Sequence, residues 1–467
     1  MKLGLYHCAG LELWKLLSKA EVEDLLIVDP YASVDPQFEK RVRSSPRMAC
    51  GRAIWTHADV TMGFKRKETL GALLPYTDAE TISELCDMQL PHNLVLSDES
   101  KEILRFNAKR TIYPDIALPN IDTFIDRLAD MWFRYLLHFN PTIFLSAIVP
   151  HSLIDLVLAE CCRMLKIPFI CQVTTGMRHH CFHLNYSSRR YLSNARFSKV
   201  SSHDLKDFIY YCGMSSANFR SSYVNSINTS FQTALASQKR NLLLNDESAK
   251  LILSRKIELA RYYDRLSTLK TIPANVSKIH YLFLHYQPEM TTSPLALRYS
   301  NQNLIAKYIL NHLPKDEILI IKEHPRQFLD CGILGGRRSH IERCLSFRTP
   351  KHYQELMENS YCYFLPRRVK NEQLFKGMRA TFWTATGTSS LQAFLNGHDI
   401  GSLNTLTPYF MLQNKSAISV DDRYQYTISE MSRYLYPLIR GEQVEDIFLS
   451  TESFCDLVLS TAASIQN

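Results

Sequence analysis

Two short polar segments hold the residue types that could do chemistry. They are Tyr-Gln-Pro-Glu at 286–289 and Lys-Glu-His-Pro at 322–325, and each lies at the end of an apolar run typical of a buried strand. A helical pattern separates the two runs, so the region predicts one β-α-β unit. Sheets built from such units place their ligand at the carboxyl ends of the strands. The Glu289 carboxylate and the His324 imidazole are therefore predicted to face one crevice.

Each of these groups also has a plainer interpretation. Glu289 could serve as a general base, a nucleophile or a salt-bridge partner, and taken alone the salt bridge is favoured. A lone histidine is usually a satisfied polar residue. His324, however, stands at a strand end beside Lys322, and Pro325 stops the strand there. This position favours a histidine that donates to a phosphate and offsets charge on a leaving group.

A third segment follows the predicted strand 380–385 and leads directly into a helix. Its glycine lets the backbone approach a ligand, and the helix start offers unpaired N–H groups and the positive end of the helix dipole to a phosphate. Simple capping by serine is the alternative. The residues of this predicted nucleotide cradle are Thr386, Gly387, Thr388, Ser389 and Ser390.

The chain opens with apolar runs at 2–6 and 24–29 that predict two buried strands around a helix at 11–17. Residues 31–118 predict only mixed structure. From Ile121 to Leu136 apolar residues recur at helical spacing and predict an amphipathic helix.

A second β-α-β unit is predicted after this helix. A buried strand at 142–149 leads through Pro150 and His151 into a helix that carries Asp155 one turn later, and a further strand covers 169–173. The loop at 174–183 includes Arg178 and His179. Several of its histidines and its cysteine are contiguous and cannot all turn to one ion, so no metal site is predicted there. Contact with sugar hydroxyls or phosphate is favoured.

Composition places the chain among globular proteins of two or three domains. It has 467 residues, 46% of them hydrophobic, and a formal charge of +8, which an anionic ligand or membrane surface explains as well as nucleic acid would. Its 12 cysteines form no C-x-x-C pair, which is typical of free thiols in a reducing compartment. We find neither a secretory signal nor a membrane-spanning run. These features predict a cytoplasmic protein with at most peripheral membrane contact and no nucleic-acid partner.

The motifs stand in a fixed order that is more specific than any one of them. Pro150-His151 is followed by YQPEMTT at 286–292, IKEHPRQ at 321–327, TATGTSSLQAFLNG at 384–397 and Thr407-Pro-Tyr-Phe. Over residues 140–412 this order resembles the bacterial capsule and surface-polysaccharide biosynthesis proteins related to the retaining β-Kdo glycosyltransferases.

The resemblance implies an α/β fold with two Rossmann-like domains facing a central cleft, as in GT-B enzymes. The domains expected are an acceptor domain at 1–222, a helical linker at 223–277, a nucleotide-sugar domain at 278–420 and closing helices at 421–467. It also implies that His324 contacts the CMP phosphate and that the cradle at 386–389 assists it. Glu289 takes the place of the family's nucleophilic aspartate, with a shorter spacing from Gln287.

The function predicted is a glycosyltransferase of capsule, O-antigen or lipopolysaccharide-type glycan synthesis. It transfers a sugar, Kdo or a related acid, from its CMP form with retention and without a metal or a cofactor other than this co-substrate. The expected partners are a glycan or glycolipid acceptor, the inner-membrane surface and other polysaccharide-assembly enzymes. Acceptor-side residues would be His151, Asp155, Arg178, His179 and Gln287. The alternatives are a non-catalytic GT-B-like glycan-binding protein, or an inverting transferase with Glu289 or Asp155 as general base.

Overall fold

The computed structural model describes two α/β regions in part. The described residues are 2–6, 24–28, 48–51, 79–111, 118–146, 148–151, 153–174, 181–191, 197–198, 247–287, 294–324, 327–328, 347–367, 369–387, 389, 393, 398–401, 403, 406 and 448–449. The chain divides into two compact units. The first unit is Met1–Leu205 with Gln443–Asn467, and the second unit is Lys206–Glu442.

The first unit is built on a seven-stranded sheet with the order β3-β2-β1-β4-β5-β6-β7. The first five of these strands are parallel, and β6 and β7 add an antiparallel hairpin at one edge. The described elements are β1 (Lys2–Tyr6), β2 (Asp24–Val28), β3 (Met48–Gly51), α1 (Ala79–Asp87), α2 (Asp98–Thr111), α3 (Leu118–Phe139), β4 (Ile143–Ser146), α4 (Leu153–Met164), β5 (Phe169–Thr174), β6 (Cys181–Asn185), β7 (Arg190–Tyr191) and β8 (Phe197–Ser198).

Helix α3 shows how the sequence pattern fixes a helix of this unit. Its apolar residues recur at helical spacing, and those of the predicted stripe, from Ile121 to Leu136, are all buried. The helix stops at Asn140, whose φ of 45° is left-handed and whose N–H donates to the Leu136 carbonyl at 2.8 Å. The chain then enters β4 directly.

The second unit is built on a five-stranded parallel sheet with the order β11-β10-β9-β12-β13. Its described elements are α5 (Glu247–Leu266), β9 (Lys278–Phe283), a 3₁₀ turn (Leu297–Ser300), α6 (Gln302–His312), β10 (Glu317–Lys322), α7 (Pro350–Met357), β11 (Cys362–Phe364), α8 (Asn371–Phe375), β12 (Thr381–Thr384) and β13 (Asp399–Ile400). The last described strand, β14 (Phe448–Leu449), belongs to the first unit, where it pairs antiparallel with β8.

Both faces of the second sheet are covered. One face buries Leu282, Ile321 and Trp383 together with residues of α5, α6 and α7. The other face packs Phe283 and Phe382 against α8 and Ala393. Near-continuous apolar strands are what a doubly covered parallel sheet requires.

The predicted fold class, an α/β protein with two Rossmann-like domains, is confirmed by these two sheets. The strands predicted at 279–284 and 317–322 are present as β9 and β10. The boundaries at 222, 277 and 420 and the central cleft stay predictions. Helix α5, within the segment expected to link the domains, contributes Leu259, Tyr263 and Leu266 to the core of the second unit.

Other expectations differ from the structure or lie outside it. The loop expected at 174–183 is shorter, because β6 already begins at Cys181 and pairs with β5. The stretch 31–118, expected to be of mixed structure, contains β3, α1 and α2. The helices predicted at 11–17, 420–438 and 451–463 fall outside the described residues.

We predict that Gly401→Ala destabilises the second unit. A Cβ at this position would lie 2.0 Å from Cδ2 of the buried Trp383 ring, so the indole or the strand must move. Overpacking of this kind costs about 1–3 kcal/mol. Chemical denaturation followed by circular dichroism measures the change. Gly377→Ala is the matched control, because its Cβ would meet one carbonyl oxygen at 3.3 Å. Equal stability of the two variants would contradict the prediction.

Candidate functional site

The order of the second sheet marks one place for a ligand. Strand β9 is the first strand in sequence and the central one in space, with β10 on one side and β12 on the other. In doubly wound sheets the ligand crevice opens at this reversal of direction, beyond the carboxyl ends of the strands. Three polar segments lie there: residues 285–287 after β9, 322–324 at the end of β10, and 384–387 at the end of β12. We call this set the carboxyl edge.

His285 fastens the β12 turn to the end of β9. The Thr386 N–H donates to His285 Nε2 at 2.9 Å, and the Thr384 hydroxyl contacts the same nitrogen. A backbone N–H can only donate, so Nε2 is the unprotonated nitrogen and the ring proton sits on Nδ1. Burial, with the nearby positive charge of Arg348, lowers the pKa of His285 to about 3. His285 is therefore a neutral structural acceptor at physiological pH.

The predicted phosphate cradle is partly occupied by these internal contacts. The Gly387 N–H donates to Thr384 Oγ1 at 3.3 Å, and the Thr386 N–H is taken by His285. A Cβ on Gly387 would lie 2.8 Å from both His285 Cε1 and Thr384 Oγ1, so only glycine fits this turn. Ser389 is half-buried, and Thr388 and Ser390 lie outside the described residues. The Thr386 and Gly387 N–H groups are therefore both engaged within the protein.

Glu323 and Arg348 form a buried ion pair on the other side of the edge. Glu323 Oε2 accepts from Arg348 Nε at 2.7 Å and from the Tyr353 hydroxyl at 2.7 Å. Glu323 Oε1 accepts from the His324 N–H at 2.9 Å, and the Glu323 N–H donates to the Tyr263 hydroxyl at 3.0 Å. Burial and the Glu323 charge raise the pKa of Tyr353 well above its usual value, so its hydroxyl remains a donor.

Arg348 also binds the segment after β9. Its Nη2 donates to the His285 carbonyl at 3.0 Å, and its Nη1 donates to Gln287 Oε1 at 2.6 Å. The Gln287 amide nitrogen donates to the Ser300 carbonyl at 2.8 Å. One guanidinium therefore joins the turns after β9 and β10.

Glutamines complete the framework. Gln327 Oε1 accepts from the Gln287 N–H at 2.9 Å, and Gln302 Oε1 accepts from the His285 N–H at 2.7 Å. Gln287 was predicted to face the acceptor. It is instead 1% exposed, with both ends of its amide bonded inside the second unit.

Lys322 is a buried cation at the same edge. It is 4% exposed, its Nζ lies 5.7 Å from the centroid of the Phe283 ring, and no described carboxylate forms an ion pair with it. Burial lowers its pKa to about 8, with a smaller opposing effect from Glu323. Lys322, Phe283 and Thr384 are register partners across three strands, so they share one face of the sheet.

Two side chains of the edge are less enclosed. Tyr286 and His324 are half-buried, and their ring centroids lie 6.0 Å apart at an interplanar angle of 43°. His324 therefore lies at the edge where the sequence placed it. Glu289 ends the first of the two predicted motifs and Pro325 ends the second, and both lie outside the described residues.

His151 and Asp155 lie in the first unit, after β4. This sheet reverses direction between β1 and β4, so the two residues stand at its own switch point. Asp155 is fully buried, and its Oδ2 accepts from the His151 N–H at 3.0 Å, which closes the turn into α4. Arg178 and His179 lie outside the described residues.

Within the described part of the chain, no group of three or more His, Cys, Asp or Glu side chains could hold a metal ion. In the same part, none of the helices combines the length and apolar character that crossing a membrane requires. None of the five cysteines whose side chains the structure describes forms a disulfide; they are Cys86, Cys161, Cys162, Cys171 and Cys362.

Sequence reasoning missed the residues that organise the edge: His285, Glu323, Arg348 and Tyr353. Arg348 ends a stretch rich in arginine, 337–348, whose composition is typical of solvated surface, yet it is 1% exposed. The one available signal was Glu323 itself, a carboxylate within a strand-end motif that requires a partner when buried.

We predict that protonation of His285 destabilises the protein in mild acid. Its pKa is about 3 when folded and about 6.5 when unfolded, so the unfolded chain binds the extra proton between these values. The free energy of unfolding should fall, as pH decreases from 6.5, by up to roughly 1.4 kcal/mol per pH unit from this group. Denaturation of wild type and His285→Gln between pH 6.5 and 5 tests this.

The His285→Gln variant should show a flatter dependence on pH than wild type. His312→Gln, at an exposed histidine at the end of α6, is the control and should keep the wild-type slope. Identical slopes for wild type and His285→Gln would refute the assignment.

Comparisons with known proteins give a weak likeness to several solved structures. No family model matches the sequence, and no curated protein matches it. One similar structure is the UDP-GlcNAc 2-epimerase of Methanocaldococcus jannaschii in complex with UDP-GlcNAc and UDP, at 11% identity, 99% and 100% coverage of this and that chain, and a TM-score of 0.23. Another is the UDP-GlcNAc 2-epimerase of Neisseria meningitidis bound to UDP-GlcNAc. It is 11% identical over 99% of this chain and 100% of that chain, with a TM-score of 0.22. A third is the N-terminal domain of Candida albicans trehalose-6-phosphate phosphatase. It is 11% identical over 99% of each chain, with a TM-score of 0.23. Likenesses with TM-scores this low assign neither a function nor a substrate to this chain.

Proposed function

We propose that this protein is a glycosyltransferase that binds a nucleotide-activated sugar at the carboxyl edge of the second unit. The donor is CMP-linked Kdo or a related acidic sugar. The supporting observation is that segments 285–287, 322–324 and 384–387, three of the motifs behind the family resemblance, converge at the switch point of one parallel sheet. Ligands of doubly wound sheets bind at this place.

The charges of the edge suit a nucleotide phosphate. Arg348 is neutralised by Glu323, and His285 is neutral, so Lys322 is the buried cation of the edge without an ion-pair partner among the described residues. The His324 imidazole, half-buried beside Tyr286, adds a hydrogen-bond donor. A positive charge and a donor fixed near a leaving phosphate stabilise the charge that develops there as the glycosidic bond breaks.

The remaining steps of the proposal come from the sequence. Glu289 attacks the anomeric carbon as the nucleotide leaves, and an acceptor hydroxyl then displaces the glutamate with overall retention. The acceptor is a surface glycan or glycolipid, met at the inner membrane among other assembly enzymes. His151, Asp155, Arg178 and His179 act on the acceptor side. Asp155 would do so by holding the His151 turn.

We predict that CMP binds to the carboxyl edge and that binding weakens in alkali. A ligand that binds only the folded state raises the melting temperature, so a thermal-shift series with CMP, UDP and GDP identifies the nucleotide. From pH 7 to pH 9 the CMP phosphate stays doubly charged while Lys322, with its pKa of about 8, loses its proton. The affinity measured by calorimetry should fall at least threefold over this range.

Lys322→Met should bind CMP weakly and lose this dependence on pH. Lys278→Met is the matched control, because Lys278 begins β9 at the opposite end of the sheet and contacts Asp399. The proposal fails if no nucleotide binds, or if Lys322→Met binds CMP as wild type does.

We predict that Glu289→Gln abolishes sugar transfer and retains CMP binding, because the amide cannot form the glycosyl-enzyme. Transfer from CMP-Kdo to a glycolipid acceptor is the measurement, and product stereochemistry separates retention from inversion. Full activity of Glu289→Gln would remove its chemical role. Nucleotide binding by a wild-type protein that never transfers sugar would point to the non-catalytic alternative.

A further inference from the structure

Side chains at the carboxyl edge alternate between two environments. After β9, His285 and Gln287 are 6% and 1% exposed, whereas Tyr286 between them is half-buried. At the end of β10, Glu323 is 1% exposed and His324 is half-buried. The inward-turned residues are those with the dense internal hydrogen bonds. Tyr286 and His324 are the less enclosed side chains of these two turns, and their ring centroids lie 6.0 Å apart.

One residue holds both sets of inward groups. Arg348 donates from Nη2 to the His285 carbonyl, from Nη1 to Gln287 and from Nε to Glu323. A guanidinium is planar and rigid, so three bonds from its three nitrogens fix the spacing between the two turns. The spacing of Tyr286 and His324 follows, because each adjoins a fixed residue.

Arg348 lies directly before the start of α7, and this helix start is well defined. Thr349 caps α7 by accepting from the His352 N–H at 3.2 Å, and Pro350 occupies the first turn. One turn later, α7 brings the Tyr353 hydroxyl to the same Glu323 oxygen that Arg348 binds. The helix thus presents two donors to one carboxylate.

We infer that Arg348 is the positioning residue of this site, and that Tyr286 and His324 are the ligand-facing pair that it sets. The identity of the ligand rests on the proposed function. An aromatic ring beside an imidazole offers a stacking surface for a base or a sugar face and a donor for the adjoining phosphate. Arg348 acts through the residues that flank the pair, because its bonds go to Glu323, Gln287 and the His285 carbonyl.

A purely structural role for Arg348 is the competing account, and the chain provides a matched control for it. In the first unit, Glu160 is also fully buried and accepts from Arg163 Nε at 2.8 Å and from the Tyr186 hydroxyl at 2.8 Å. This second Glu-Arg-Tyr cluster joins the end of α4 to the hairpin of β6 and β7. Arg163→Met therefore removes the ion-pair partner of a buried glutamate away from the carboxyl edge, although Arg163 has 20% of its side chain exposed and Arg348 has 1%.

The test compares Arg348→Met, Arg348→Lys, Gln287→Ala and Arg163→Met in the full-length protein. Three quantities are measured for each: the melting temperature, the CMP affinity by calorimetry, and the ring signal of His324 in a ¹H–¹³C spectrum assigned with His324→Asn. We expect Arg348→Met to lose at least tenfold in CMP affinity and to shift the His324 signal. Arg163→Met should also lower the melting temperature, and it should leave both the affinity, within twofold, and the signal unchanged.

Milder variants keep the inference testable if Arg348→Met does not fold. Arg348→Lys retains a charge for Glu323 but cannot make the three-way contact, and Gln287→Ala removes a single tether. Both should shift the His324 signal and weaken CMP binding about threefold or more. Tyr286→Leu should weaken binding, and Tyr286→Phe should preserve it, without loss of melting temperature in either.

The outcomes separate this inference from the proposed function. If wild type binds CMP and the Arg348 and Gln287 variants keep both its affinity and its His324 signal, the positioning role is overturned and the proposed function stands. If wild type binds no nucleotide, the proposed function fails. The His324 signal of the Arg348 variants still decides whether Arg348 positions the pair.

Discussion

The ion pair between Glu323 and Arg348 is the constraint on which the carboxyl edge depends. Both side chains are almost completely buried, and a buried charge is tolerated only when its partner and further hydrogen bonds replace water. Glu323 accepts hydrogen bonds from Arg348, Tyr353 and the His324 N–H. Arg348 donates to Glu323, Gln287 and the His285 carbonyl. Loss of one partner from such a pair costs about 3–5 kcal/mol. The turns after β9 and β10 and the start of α7 are therefore held as one body.

The first unit contains the same chemistry in a different place, which shows what the cluster does and does not imply. Glu160, Arg163 and Tyr186 join the carboxyl end of α4 to the hairpin at the sheet margin, on the side of the sheet where the parallel strands begin. A buried Glu-Arg-Tyr cluster is thus a device for fixing two elements together. The cluster of the second unit bears on function because the elements it fixes are the strand ends at a switch point.

The sequence predicted local elements better than the contacts between them. The bounds of β1 and β10 and the buried stripe of α3 follow from apolar runs and helical spacing alone. Helix α2 was missed because it is largely polar, although Ser97 accepts from the Ser100 N–H and two acidic residues follow it, which is a typical helix start. The partners of Glu323 could not be predicted, because Arg348 lies 25 positions away within a basic stretch and only the folded chain distinguishes it from surface arginines. The internal hydrogen bonds of the Thr386 and Gly387 N–H groups could not be predicted either, because their acceptors are side-chain atoms of His285 and Thr384.

The charged groups of the carboxyl edge are distributed over the two faces of the second sheet. On the face that carries Ile321 and Trp383, the guanidinium of Arg348 is matched by the carboxylate of Glu323, so little net charge remains. On the opposite face, Lys322 and Thr384 flank Phe283 in one row, and the neighbouring His285 is kept neutral by burial and by the charge of Arg348. A charged His285 would repel Arg348 and would compete with the Thr386 N–H, so the framework itself excludes a second cation there. Lys322 then carries the net positive charge of the described edge, and a ligand bound across the strand ends meets one ammonium in a poorly hydrated setting. Such a setting strengthens the attraction of an anionic group, and it does so most when the ligand itself excludes the remaining water.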